Sequence, residues 1–182
     1  MSSTSAPFGL RPSYSPSGVV RPTAYTMDPT YATTIYQNQP VKLNDGYIEA
    51  AGVGDRFIGT FQGVEWTDTD GRRRISNKWS AQSGATQIVA YATLDPSIVY
   101  EIQSNATMAV GTIGAQYDFT AASGNTTTGL SSQMLDVASI ANNASLRVIG
   151  VTPGPNNDWG DNYVIVQVQI SEHQNVADIA DY

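Results

Sequence analysis

Apolar and polar residues alternate with a period of two through much of the chain from Thr33 onward, most cleanly between Tyr163 and Ile170. There Val164, Val166, Val168 and Ile170 share one side, while Gln167 and Gln169 share the other. Successive strand side chains point to opposite faces, so the pattern predicts a strand with one face in a core. The same reading predicts strands over Gln87 to Leu94, Ile98 to Gln103 and Leu146 to Val151. Two Asp-Gly pairs lie between apolar runs and predict tight hairpins. With Asp45-Gly46 at the turn, Leu43 faces Ile48 and Val41 faces Ala50. A two-residue turn at Asp70-Gly71 pairs Thr69 with Arg72, Asp68 with Arg73 and Trp66 with Ile75, which puts Trp66 and Ile75 on the core side. Trp79 is expected in the same core. Between the hairpins, Gly59 and Gly63 alternate with Phe57 and Phe61, as in a strand that coils strongly in a small barrel. Helical periodicity is weak and confined to Met134 to Ile140, a segment that reads equally well as a strand.

The first thirty residues behave differently. Pro7, Pro12, Pro16, Pro22 and Pro29 interrupt them, and no apolar period emerges. Proline fixes φ and removes a donor, which disfavours helix and central strand and favours extended backbone. Disordered segments are usually poor in aromatics, yet Phe8, Tyr14, Tyr25 and Tyr31 lie here. We therefore read residues 1 to about 32 as an extended arm that orders against another subunit. Its expected partner-binding residues are Phe8, Leu10, Arg11, Tyr14, Arg21 and Tyr25. Residues 33–182 form the expected β domain, with a surface excursion near 104–132 where Ser, Ala, Thr, Asn and Gly dominate. The predicted fold class is all-β: a small antiparallel β-barrel or sandwich with an extended Pro-rich N-terminal arm.

Composition narrows the function. Hydrophobic residues make up 41% of the chain, enough for a core, and charged residues only 14%, against roughly 25% in an ordinary soluble domain. A surface with so few charges is cheap to desolvate and suits extensive protein contact. The net charge of −7 argues against nucleic acid as a partner, because that affinity comes mainly from neutralised phosphates. Without cysteine there is no disulfide frame and no thiolate chemistry. No apolar run approaches the roughly 20 residues needed to cross a bilayer, so no membrane partner is expected. The first residues show neither the basic head nor the apolar stretch of a signal peptide, which predicts synthesis and assembly in a cytoplasm.

Candidate chemistry is sparse. His173 is the only histidine and follows the last strand, where it reads as a surface or edge residue bonded to Glu172 or a backbone carbonyl rather than a general base. Asp158 and Asp161 flank Trp159 in a loop whose oxygens suit Ca²⁺, but Asn and Asp in such loops usually bond their own backbone. Arg72-Arg73-Arg74 is the only basic cluster and reads first as a solvated hairpin. No cofactor, metal site or catalytic residue is expected.

Three stretches together resemble small capsid-associated proteins of tailed bacteriophages, of the cement or decoration type. They are Ala6-Pro-Phe-Gly-Leu-Arg-Pro12 with Tyr31 to Tyr36 and the Pro40 hairpin; Phe57 to Trp66 leading to Ser76-Asn-Lys-Trp79; and Leu146 to Pro153 with Asn157 to Asp161, the last strand and His173. The resemblance implies a non-enzymatic virion protein on the capsid surface. Its partners would be the major capsid protein of an HK97-like shell and further copies of itself, as a trimer rather than a dimer. A phage tail or baseplate protein that binds host carbohydrate through Trp159, Asp158 and Asp161 is the alternative. A cellular β-sandwich interaction module fits the strands but leaves the proline-rich stretch unexplained.

Overall fold

Residues 4–176 are described by a computed structural model, and their alternating segments become eleven strands. These are β1 (Arg11–Tyr14), β2 (Pro22–Thr26), β3 (Pro40–Asn44), β4 (Tyr47–Ala50), β5 (Gly59–Thr67), β6 (Arg73–Ser76), β7 (Thr86–Thr93), β8 (Val99–Gln103), β9 (Gln116–Tyr117), β10 (Leu146–Val151) and β11 (Ile165–Ile170). They build two antiparallel sheets. One has five strands in the order β1-β8-β11-β10-β9; the other has the order β2-β7-β5-β3-β4, with β6 added beside β5. The arrangement is sandwich-like, without a closed barrel.

Each sheet organises its own apolar cluster. Val164, Val166 and Val168 are fully buried with Tyr100, Ile102, Leu146 and Phe57 in the first. In the second, Trp79 and Phe61 are fully buried, and half-buried Trp66 meets Trp79 edge-on with ring centroids 5.9 Å apart. Gly59 shows how closely β5 and β7 are fitted. At φ +155 it has a backbone that side chains disfavour, and a Cβ there would lie 2.1 Å from the Thr93 carbonyl oxygen.

The β3–β4 hairpin has the expected register, with Leu43 opposite Ile48 and Val41 opposite Ala50. The β5–β6 hairpin does not. Gly71 N–H donates to the Asp68 carbonyl, Asp68 N–H to the Arg72 carbonyl, and Gly71 sits at φ +75. This is a three-residue loop, a type I turn followed by a left-handed residue, and not a two-residue turn. The pairs become Thr67–Arg73, Trp66–Arg74 and Glu65–Ile75. A shift of one residue moves a side chain to the other face. Ile75, expected in the core, is 81% exposed.

The N-terminal stretch also departs from expectation. It is not a separate arm: β1 pairs with β8 and β2 with β7, so residues 11–14 and 22–26 supply an edge strand to each sheet. Leu10 and Met27 are fully buried, one in each cluster. The prolines are tolerated because edge strands leave one side without ladder bonds. Residues 1–3 of the expected arm lie outside the described residues, as do 177–182 of the expected β domain. The 104–132 excursion is likewise partly structural, since Met108, Tyr117 and Phe119 enter the first cluster and Tyr117 belongs to β9. Its composition hid this because the three residues that enter the core are spread among many small polar ones. The Met134 to Ile140 segment contains one short 3-10 turn, Val137–Ser139.

Candidate docking surface

The register of the β5–β6 hairpin turns Ile75 out to solvent. Glu65, Arg73 and Ile75 share the outer face of the six-stranded sheet with Gly63 and Tyr91. Glu65 fixes the polar side of this face: it pairs with Arg73 at 2.7 Å and accepts a hydrogen bond from the Tyr91 hydroxyl at 2.9 Å. That contact raises the Tyr91 pKa above the usual phenol value, since ionisation would set a phenolate beside a carboxylate. Gly63, at a break in the β5–β7 register, contributes no side chain. An open, mainly apolar slot of about 500 Å³ results, with Gly63 on its floor and Pro22, Tyr91 and Ile75 among its walls.

The six residues expected to bind a partner do not converge on one face. Leu10 is inside the first cluster, and Tyr25 packs against the second, where burial raises its pKa. Phe8 lies under the Arg11 guanidinium, 4.5 Å from ring centroid to Cζ, and Arg11 pairs with Glu101 of β8. These contacts tie β1 down. Tyr14 is 46% exposed, and Arg21 is exposed as well. Arg72, Arg73 and Arg74 pair with carboxylates of their own hairpin or of β5, at distances from 2.7 to 3.7 Å.

His173 is buried rather than superficial, at 4% exposure. Its segment bridges to Phe57 ahead of β5, and its Nδ1 accepts the Asn175 N–H at 3.1 Å. Burial lowers its pKa; the nearby carbonyls of Ile58 and Leu94 and the charge of Asp95 oppose that shift. Asp95 accepts from the hydroxyls of Ser15, Ser17 and Ser97 and from Ser97 N–H, which holds its carboxyl well below the usual range. These serines donate to a very weak base and make no hydrogen bond to His173, so the group anchors the turn after β1 and does not activate a nucleophile.

In the 156–161 loop, the Asn157 amide donates to the carbonyls of Thr152 and Ile165 and accepts from Ile165 N–H, which pins the loop across β10 and β11. Asp161 accepts from Asp158 N–H and is buried. Trp159 is half-buried and packs against the first cluster. Among the described residues no group of three or more His, Asp or Glu side chains is arranged to hold a metal ion. A second concavity of about 350 Å³ opens between Asp28–Tyr31 and the β3–β4 turn, with Asp45 and Glu49 on its rim. Compared with protein families, curated proteins and solved structures, the chain matches none.

The sequence concealed the slot. Ile75 reads as core under a two-residue turn, and only the loop length moves it outside. The recoverable signal was Thr69-Asp70-Gly71, which fits a three-residue loop with glycine in the left-handed position as well as it fits Asp-Gly alone.

Proposed function

We propose that this chain is a non-enzymatic structural protein that docks on neighbouring protein subunits of a virus particle. In this reading it is a decoration protein on the outside of an HK97-like shell, where it also contacts further copies of itself. The observation that carries the docking is Ile75, 81% exposed beside an open apolar slot that the fold leaves unfilled. Single exposed apolar residues are ordinary, but one that borders a preformed apolar concavity marks a place where another surface fits. The low share of charged residues supports the same reading, because it lowers the cost of drying the contact. Burial of apolar surface contributes about 25 cal/mol per Å², so small contacts repeated over a symmetric shell stabilise it considerably. The assignment to a tailed phage rests on the sequence resemblance. Quantitative mass spectrometry of purified particles tests it: decoration requires a copy number comparable with that of the major capsid subunit. A stoichiometry of only a few per particle refutes it in favour of a tail component.

A further inference from the structure

Two Asp-Gly pairs stand at hairpin turns, and the fold treats them differently. Both pairs are exposed, and a Cβ built on Gly46 or on Gly71 would meet nothing within 4 Å. Access by solvent therefore does not separate them. In the β5–β6 hairpin both members of the pair are held. Asp70 Oδ1 accepts the Arg72 N–H at 2.9 Å, and its Oδ2 accepts from Arg74 Nη2 at 3.1 Å. Gly71 N–H donates to the Asp68 carbonyl at 2.9 Å. In the β3–β4 hairpin neither member is held. Asp45 and Gly46 form a two-residue turn closed by the Asn44–Tyr47 pair, at φ +49 and +85. Lys42, the cation of this hairpin, pairs with Glu49 and Asp55 instead. Among the described residues the Asp45 carboxylate accepts no hydrogen bond and joins no ion pair, and Gly46 N–H has no acceptor.

We propose that Asp45 is a modification site: it isomerises spontaneously to isoaspartate in the folded protein, whereas Asp70 is protected. The Gly46 nitrogen attacks Asp45 Cγ and forms an N–Cγ bond. The carboxyl hydroxyl leaves with the amide proton as water, which closes a five-membered imide. One water then opens the ring. Opening at Cγ restores aspartate; opening at the main-chain carbonyl carbon leaves the chain running through the side chain, one carbon longer. The balance needs no oxidant, cofactor or enzyme. Ring closure requires a carboxyl that can swing onto the next nitrogen and a nitrogen not committed elsewhere, and the β3–β4 turn offers both. At Asp70 a charge-assisted hydrogen bond has to break first, which slows closure by roughly tenfold or more. The added carbon falls in the turn that sets the β3–β4 register, on which the burial of Val41 and Ile48 depends. The inference is independent of the docking reading above.

The test is a timed incubation of the full chain near neutral pH, with folding monitored by circular dichroism, followed by peptide mapping. Isoaspartate is read from resistance to endoproteinase Asp-N and from electron-transfer fragmentation, which distinguishes the two linkages of equal mass. Peptides spanning residues 41–50 and 66–75 serve as unfolded references, and their Asp-Gly pairs should convert at similar rates. In the folded protein, conversion at Asp45 is expected to outpace that at Asp70 by about tenfold or more. No conversion at Asp45, or conversion at Asp70 that equals or exceeds it, overturns the proposal. So does the same bias in the two peptides, which would place its cause in the local sequence rather than in the fold.

Discussion

Leu10→Ala separates an arm from an integral strand. Leu10 is fully buried against the first cluster, and its N–H donates to the Asn38 carbonyl at 2.8 Å. The backbone bond survives the substitution, so the loss is that of the side chain and the cavity it leaves. For a fully buried leucine this is about 2–5 kcal/mol. In a domain of this length, 1 kcal/mol moves the melting temperature by roughly 2–4 °C, so a drop on the order of 10 °C is expected. Tyr14→Ala, four residues on and 46% exposed, serves as the internal control and should cost under about 1 kcal/mol. Chemical denaturation followed by tryptophan fluorescence and by far-UV circular dichroism measures both, and the two probes should move together. If Leu10→Ala unfolds within about 1 kcal/mol of the unmodified protein, residues 4–14 are only loosely attached and the β1–β8 pairing contributes little.

Acid should destabilise the protein through His173, whose pKa is lowered by burial. The unfolded imidazole takes up a proton near pH 6.5 and the folded one only at lower pH, so stability falls as pH drops through that interval. His173→Gln should flatten the decline measured by denaturant unfolding between about pH 7 and pH 5; an unchanged slope would assign it to other groups. Gly59→Ala should be severely destabilising, because its Cβ would collide with the Thr93 backbone carbonyl. A variant that melts near the unmodified protein would show that β5 and β7 separate easily there.

Legibility in the sequence followed how local each cause was. Strand β11 was readable because its alternation is uninterrupted, and the β3–β4 register because two residues set it. The same Asp-Gly dipeptide misled in the β5–β6 hairpin, where loop length depends on Thr69 joining the turn. Strands β1 and β2 were illegible for a different reason. Their partners lie in β8 and β7, and nothing within a proline-rich window of the chain signals a pairing so distant. His173 read as superficial because its burial comes from the Phe57 bridge, a contact across more than half the chain. The docking slot depended on both kinds of missing information, since it needs the hairpin register and the placement of Pro22 beside β7.

The strand order of the five-stranded sheet also sets a timetable for synthesis. Strand β11, the last of the eleven to be made, lies between β8 and β10 at the centre of that sheet. Until it leaves the ribosome, β8 and β10 each lack a neighbour, and the valines of β11 that fill the first cluster are absent. The first-made strand β1 can pair with β8 early but has no completed core to lie on. The second sheet has every strand it needs once β7 is complete, so it can form while the rest is still being translated. Nascent chains stalled before Ile165 should therefore be protease-resistant in one half and open-edged in the other, with unpaired strands that invite chaperone binding or aggregation.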